Sequence, residues 1–224
     1  AVSAENDDRI GAVVRRATLE DAPVFEVTKL ELEALTQGAV HQGVAMEIAA
    51  YDYADALELL DRVSATGRKP LFVALDQVTD PHNLGAVLRS AGAFGADGVI
   101  IPQRRSADVN ATVWKVSAGA AARVPVAKET NLVRTLEAFK ARGCFVVGLD
   151  GNGSVSVDNL NLADQPLVLV TGAEGKGLSR LVRETCDEIA SINIRAAVES
   201  LNAAVATGIA LYEVDRVRRT TQGD

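Results

Sequence analysis

From Pro70 to the C-terminus, short apolar segments of strand length alternate with longer segments of helical periodicity. The apolar segments, such as LFVALD (71–76) and PLVLVTG (166–172), contain few polar positions, which is typical of strands buried on both faces. Strands that alternate with helices in this way pair in parallel, and the helices cover both faces of the sheet. The sequence therefore predicts an α/β fold in which a parallel sheet lies between two layers of helices.

The first part of the chain has a different pattern of apolar and polar residues. Residues 1–53 show two helical patterns, a strand-like PVFEV (23–27) and an alternating segment over 38–53 that is typical of a strand. Residues 54–69 contain a short helical pattern and the polar stretch SATGRKP, which predicts a linker. The expected organisation is a small α/β domain over 1–53, a linker over 54–69 and a large domain over 70–224. Because the chain opens at Ala1 in the middle of a pattern, the small domain is expected to lack its beginning.

Charge and cysteine usage limit the class of protein. The sequence has no apolar run long enough for a bilayer span and no signal peptide, so a cytoplasmic location is expected. Cys144 and Cys186 are too few and too far apart for a disulfide framework or a metal quartet, and no metal site is predicted. The net charge of −7 argues against a nucleic-acid partner unless basic residues gather locally. Arg104 and Arg105 are candidates for such a patch, and so are Arg123, Lys128 and Arg134.

Ligands of parallel sheets bind at the carboxyl ends of the strands, and three strand exits carry polar residues. After the first strand, TDPHNLGAVLRSAGAFG predicts a helix on which Arg89 shares a stripe with Gly85 and Gly92. Because glycine weakens a helix, two glycines around one arginine indicate close approach of another backbone or of a ligand. The alternative is a surface arginine on a weak helix.

The second exit reads TGAEGKG, with Gly172, Gly175 and Gly177 around Glu174. The order of glycines fits neither a Walker A loop nor a dinucleotide fingerprint, and a carboxylate there disfavours phosphate and favours a cationic ligand. A tight strand-to-helix turn is the alternative.

The third exit ends in Ser200 and Asn202, directly before a helix that begins with a run of small residues. For these two residues helix capping is the alternative to a binding role.

Together, DPHNLGAVLRSA, TGAEGKGL and SINIRAAVESLNAAVA resemble the three ordered motifs of the SpoU/TrmH family of RNA 2′-O-methyltransferases, over residues 70–219. Within this family, the chain resembles the RlmB-type 23S rRNA guanosine-2′-O-methyltransferases. In addition, GAVHQGVA is similar to the end of that branch's small L30e-like RNA-binding domain.

The resemblance implies a C-terminal trefoil knot, a homodimer, RNA as substrate and S-adenosylmethionine as cofactor. Generic folding rules would disfavour the knot. Carried over residue by residue, it implies catalytic roles for Asn83, Arg89, Glu174, Ser200 and Asn202. It implies cofactor contacts at Leu149, Gly151, Gly172, Ile192 and Leu201. The RNA-binding candidates are His41, Arg89, Arg104, Arg105 and Arg123.

Arginine stays protonated in proteins, so Arg89 is not expected to act as the general base. It is expected to bind the phosphate beside the target ribose and to stabilise the negative charge that develops on the attacking oxygen. Glu174 is expected to hold either the loop of the first motif or Arg89. Asn193 and Ala196 stand where the family usually has proline and glycine, so that either the loop uses ordinary dihedral angles or cofactor binding is weakened. The alternatives are a non-catalytic RNA-binding protein on the same fold, and a tRNA or antibiotic-resistance rRNA methyltransferase. A nucleotide-dependent α/β enzyme is disfavoured by the failed phosphate motifs.

Overall fold

The computed structural model describes residues 8–195 and 200–222. Contacts divide the chain into two compact units, Ala1–Ala50 and Tyr51–Asp224. None of the described helices is long and apolar enough to cross a membrane.

The smaller unit contains helices α1 (Asp8–Leu19) and α2 (Lys29–Leu35). Helix α2 begins at a capping box, in which the Glu31 backbone donates to Thr28 and the Thr28 backbone donates to the Glu31 carboxylate. The hydrogen bonds that the Thr28 backbone and the Thr28 hydroxyl donate to the Glu31 carboxylate lower the pKa of Glu31. Both predicted helices are confirmed. The predicted strands over 23–27 and 38–53 are wrong, because neither segment finds an extended partner among the described residues. Most apolar side chains of this unit are exposed, including Phe25 and Met46.

The larger unit is built around a seven-stranded sheet in the order β3-β2-β1-β6-β4-β7-β5, and each of its strand pairs is parallel. The predicted parallel α/β fold is therefore confirmed. The strands are β1 (Leu71–Asp76), β2 (Gly98–Pro102), β3 (Val126–Glu129), β4 (Phe145–Leu149), β5 (Val155–Ser156), β6 (Leu167–Gly172) and β7 (Glu188–Ser191). The helices are α3 (Ala56–Ser64), α4 (Pro81–Ala93), α5 (Ala111–Val116), α6 (Leu132–Ala141), α7 (Arg180–Thr185) and α8 (Ala203–Gln222), with short 3₁₀ turns at Ala120–Ala122 and Val157–Asn159.

Side-chain alternation along the strands produces two cores, one on each face of the sheet. In β1, Leu71, Val73 and Leu75 pack with α4, α5 and α8, whereas Phe72 and Ala74 pack with α3, α6 and α7. All six residues of β1 are buried, as the apolar segment predicts. The central strands are therefore buried on both faces. A binding or catalytic site can form only where the strands end.

Residues 54–69 do not form the predicted linker. Helix α3 buries Ala56, Leu59 and Leu60 in the second core, so the division between the units falls after Ala50 instead. Tyr51 and Tyr53 also belong to the larger unit. Their hydroxyls accept hydrogen bonds from the backbone N–H groups of residues 126 and 109, at 3.1 and 3.0 Å.

Helix α5 is short and begins at a side-chain cap. Asn110 accepts from the Val113 N–H at 3.1 Å, whereas the nearby Asp108 pairs with Lys128. The helix ends early because Ala118 and Gly119 adopt positive φ angles of 51° and 89°, which reverse the chain.

Candidate functional site

The carboxyl ends of the parallel strands meet at one edge of the sheet, and the three predicted motifs follow β1, β6 and β7 there. The first motif enters α4 through Asp80, whose carboxylate accepts from the His82 N–H at 2.9 Å. Pro81 occupies the first turn of α4, where its missing N–H costs nothing. This start fixes Asn83 inside the first turn, where it is buried.

One hydrogen-bonded cluster joins all three motifs. The Asn202 amide donates to Asn83 Oδ1 at 2.8 Å and to Glu174 Oε1 at 2.5 Å, and the Asn83 amide donates to Glu174 Oε1 at 3.1 Å. Asn202 Oδ1 accepts from the backbone of Ala204 and Val205, at 2.9 and 3.1 Å. Asn202 therefore caps α8 and binds the cluster with the same side chain, so capping and site assembly are not alternatives.

The glycines around Glu174 build a tight turn that presents this carboxylate. A Cβ at Gly172 would lie 2.2 Å from the backbone of Gly177, so a side chain has no room there. Ala173 and Gly177 exchange two backbone hydrogen bonds, at 3.1 and 2.8 Å. Gly175 and Gly177 have φ angles of +72° and +64°, a region that favours glycine. The turn predicted as an alternative is present, and it aims Glu174 at the cluster.

Arg89 stands apart from the cluster. It is exposed on α4 and makes no hydrogen bond or ion pair with residues 8–195 or 200–222. The glycines beside it are explained by α5 and the 3₁₀ turn after it. A Cβ at Gly85 would lie 2.7 Å from Val116 of α5, and one at Gly92 would lie 3.5 Å from Ala120 of the turn and 3.3 Å from Val124, which follows it. Of the two partners expected for Glu174, the structure places it on the first motif and not on Arg89.

The predicted cofactor residues gather at neighbouring strand exits. Leu149 ends β4 and Gly172 ends β6, both buried, and Ile192 follows β7, half-buried. Gly151 is exposed, with nothing within 4 Å of where its Cβ would be. Leu201 is half-buried directly before α8.

The start of the third motif is fixed by side-chain contacts. The Asn193 amide donates to Ser156 Oγ at 2.9 Å, and Ser156 donates to Asp158. Ala196 and Glu199 lie outside the described residues. Ser200 is exposed and makes no hydrogen bond with the described part of the chain.

The basic candidates divide between two edges of the sheet. Arg104 and Arg105 are exposed in the loop after β2, on the edge that carries the cluster, and the Ala107 N–H ties this loop to the β1 exit through Val78 O at 2.9 Å. Arg123 precedes β3 and so lies at the opposite edge. His41 belongs to the smaller unit, where its Nδ1 accepts from the Gly43 N–H at 3.0 Å.

Several polar contacts behind the site were not predicted. The buried Asp76 carboxylate accepts from the Ser179 N–H at 2.6 Å and so joins the β1 exit to the start of α7. Thr207 donates to Ala203 O, which leaves Thr171 to donate to Thr207 at 2.7 Å. An aspartate that ends an apolar strand is a visible signal in the sequence. The threonine pair, buried between β6 and α8, has no signal in the sequence that could have predicted it.

The cysteines do not contribute nucleophiles. Burial raises the pKa of both Cys144 and Cys186 to about 11, so both thiols are protonated at neutral pH. Among the described residues, no group of three His, Cys, Asp or Glu side chains could hold a metal ion.

A model of the SpoU rRNA Methylase family matches residues 70–212, which include all three motifs. The chain belongs to the SpoU rRNA methylase family. A second model, for the substrate-binding part of RNA 2′-O ribose methyltransferases, matches residues 2–54. The chain is 50% identical over 221 residues to a protein named as an uncharacterized tRNA/rRNA methyltransferase of Mycobacterium ulcerans, and the match covers 98% of this chain and 70% of that protein.

Solved structures of SpoU methyltransferases share the fold. AviRb from Streptomyces viridochromogenes, crystallised with AdoMet, matches with a TM-score of 0.67 at 30% identity, over 87% of this chain and 81% of AviRb. An AdoMet-bound rRNA methyltransferase from Sinorhizobium meliloti matches with a TM-score of 0.73 at 26% identity, over 94% of this chain and 78% of that one.

Proposed function

We propose that this SpoU family member transfers a methyl group from S-adenosylmethionine (AdoMet) to a ribose 2′-hydroxyl of structured RNA, with a 23S rRNA guanosine as the favoured substrate. The observation that carries the proposal is the cluster of Asn83, Glu174 and Asn202, because it joins the three family motifs into one site. The cytoplasmic location stays a prediction from the sequence.

The strand exits fit AdoMet. Ile192 and Leu201, both half-buried, offer apolar surface for an adenine ring above the buried end of β4 at Leu149, and the space beside the exposed Gly151 leaves room for a ligand against the backbone. Glu174 supplies negative charge near a cationic cofactor, as its place among glycines predicts. These residues would hold the cofactor largely through backbone contacts. When bound, the cofactor supplies a methyl group activated by a sulfonium.

The chain's own residues then position the ribose. Methyl transfer needs the attacking oxygen in line with the methyl carbon and sulfur, so alignment accounts for much of the barrier reduction. Asn83 and Asn202 are proposed to orient the ribose, and Ser200 is proposed to lie beside them. Arg89, free of internal partners among the described residues, is proposed to grip the adjacent phosphate and to stabilise charge that develops on the oxygen. The oxygen would lose its proton to solvent water as it bonds to the methyl carbon, and the carbon–sulfur bond would break to release S-adenosylhomocysteine.

RNA is proposed to lie across the edge that carries the cluster, where Arg104 and Arg105 are exposed beside the β1 exit. The smaller unit, with His41, is proposed to be part of an L30e-like RNA-binding domain, and the match to a substrate-binding family model supports this. Arg123, at the opposite edge, would contact a more distant part of the RNA.

The larger unit is proposed to contain the trefoil knot of this family. One close passage of the backbone supports it. A Cβ at Gly153 would lie within 2.7 Å of the backbone of 189–191. The loop after β4 therefore passes directly against β7, a segment distant from it in sequence.

We expect the chain to bind AdoMet without a metal and to methylate RNA. Titration calorimetry with AdoMet, with and without EDTA, is expected to give the same Kd, because the proposed contacts are backbone and carboxylate groups of the chain. Incubation with labelled AdoMet and unmodified rRNA or tRNA, followed by mapping of 2′-O-methyl sites, identifies the substrate. Loss of binding on chelation would contradict the proposal. RNA binding without AdoMet binding or methylation would instead support the non-catalytic alternative.

A homodimer is proposed through the exposed side of α8. The small-residue side of this helix packs on α4 of the same chain, where a Cβ at Gly208 would lie 3.2 Å from Ser90 Oγ. The other side exposes Val205, Ile209 and Tyr212 along a groove of about 690 Å³ that also reaches Asn83 and Asn202. Such apolar surface beside a site is typical of an interface.

We expect the wild-type chain to sediment as a dimer at micromolar concentration and the substitution Val205→Asp to shift it to monomer, because a buried unpaired carboxylate is costly. Leu181→Asp is the matched control, since Leu181 and Val205 are 53% and 51% exposed and Leu181 lies on α7, away from the groove. A monomeric wild type, or equal behaviour of the two variants, would contradict this interface.

A further inference from the structure

An ion pair joins α7 to the exit of β4. Arg183 Nη1 lies 2.7 Å from Asp150 Oδ2, and the Arg183 and Asp150 side chains are 40% and 16% exposed. The two residues are separated by 32 others in the chain, so neither a helix nor a turn brings them together. Arg183 lies outside the family's three motifs, although its partner lies within the segment assigned to the cofactor.

Asp150 contacts three chain segments at once. Its Oδ1 accepts from the Asn152 N–H at 2.9 Å, which shapes the turn after β4. Its backbone N–H donates to Ala190 O of β7 at 3.0 Å. A Cβ at Gly177 would lie 3.2 Å from its Oδ2, so the carboxylate borders the turn that carries Glu174. The exits of β4, β6 and β7, which supply the proposed cofactor contacts, therefore meet at this side chain.

A partly exposed ion pair usually contributes little to stability, so stability alone does not explain why this one is placed here. Its arrangement differs from that of the other pair on α7. Arg180 bonds Glu184 at the same distance of 2.7 Å, but this pair lies within one helix, four residues apart, with an Arg180 side chain that is 75% exposed. Arg183 instead fixes a carboxylate whose second oxygen orders backbone at the site.

We propose that Arg183 is a positioning residue that, by holding the Asp150 carboxylate, sets the relative placement of the three cofactor loops. The inference rests on the proposed function, since it concerns the site assigned to AdoMet. The direction in which AdoMet affinity changes when Arg183 is replaced distinguishes this role from a simple charge effect. AdoMet carries a positive sulfonium, so removal of a nearby cation would by charge alone strengthen its binding. Loss of loop placement would weaken it.

Calorimetry of Arg183→Met with AdoMet and with S-adenosylhomocysteine tests the proposal. The Kd for both ligands is expected to rise roughly tenfold, within the range found for coupled residues in contact. The effect is expected to be similar for the two ligands, because loop placement does not depend on the sulfonium charge. Arg180→Met, on the same helix, is expected to leave both Kd values unchanged. Both variants are expected to lose no more than a few degrees of melting temperature.

The pairing itself is tested by a double-mutant cycle. Asp150→Asn is expected to weaken binding to a similar extent, and the double variant to bind no more weakly than the worse single variant. Arg183→Lys, which keeps the charge but not the planar fork, is expected to recover part of the affinity. Unchanged or tighter AdoMet binding by Arg183→Met, or multiplicative losses in the double variant, would overturn the inference. A wild type that binds neither ligand would overturn the proposed function beneath it.

Discussion

Replacement of Arg89 with alanine is expected to lower methyl-transfer turnover on the order of a hundredfold or more, the typical cost of losing one preorganised contact to developing charge. The Kd for AdoMet and the melting temperature are expected to stay close to wild type. The structure supports this separation, because Arg89 is exposed and makes no hydrogen bond or ion pair with the described residues. Single-turnover rates on RNA, measured beside calorimetry and thermal melting, check each part.

Two further variants sharpen the test of Arg89. Arg89→Lys is expected to recover little activity, because lysine lacks the planar two-pronged donor that matches a phosphate. Arg62→Ala is the matched control, since Arg62 is likewise exposed and unpaired among the described residues but lies on α3, on the opposite face of the sheet. If Arg89→Ala loses its melting transition or its dimer, Arg89 is structural. If it keeps full activity, the chemistry lies elsewhere.

The parallel sheet was predictable because its strands are apolar on both faces, a pattern carried by adjacent residues such as 71–76. The same local pattern failed over 23–27 and 38–53. A strand exists only when another strand pairs with it, and the alternation of a segment says nothing about its partner. The linker prediction failed for a related reason, since polar residues at 64–69 obscured the three buried positions of α3.

The sequence predicted the three motifs of the site, but it did not predict how their side chains are arranged relative to one another. Asn83, Glu174 and Asn202 were named from the resemblance, but their mutual hydrogen bonds span 28 to 119 positions of the chain and follow from the order of strands in the sheet. Arg183 is the clearest example of a contact that the sequence alone does not predict. Within the sequence it is one of several charged residues on a short helix, and its relation to Asp150 exists only once β4 and α7 are in place.

The last helix contains a second contact between residues that are distant in sequence. This contact is expected to contribute more to the stability of the fold than the pair of Arg183 and Asp150. Arg218 of α8 donates to four backbone carbonyls at the amino end of the sheet. These belong to Lys69 and Pro70, at 2.8 and 3.0 Å, and to Ala163 and Gln165, at 3.1 and 2.6 Å. The guanidinium therefore fastens the end of α8 to the segments that precede β1 and β6. Burial lowers the pKa of Arg218, while the nearby carboxylates of Asp97 and Asp164 favour its charged form.

Arg218→Met is expected to lower the free energy of unfolding by about 3 kcal/mol, because it keeps the apolar stem but leaves carbonyls in a largely buried place without a donor. For a domain of this size that corresponds to a fall of roughly 10 °C in melting temperature. Denaturant titration and thermal melting measure the two quantities. In the fraction that remains folded, AdoMet affinity is expected to be unchanged, since Arg218 lies at the sheet edge opposite the site.

Arg219→Met is the control for this effect, because the neighbouring arginine bonds Asp215 within the same helix at 3.0 Å and its side chain is 58% exposed. It is expected to cost less than about 1 kcal/mol, as exposed pairs do. Arg218→Lys is expected to fall between the two, since one ammonium cannot reach all four carbonyls. Equal losses for Arg218→Met and Arg219→Met would show that the carbonyls find other partners or water. Helix α8 would then be held by its apolar contacts with α4 and β6 and by the Asn202 cap at its start.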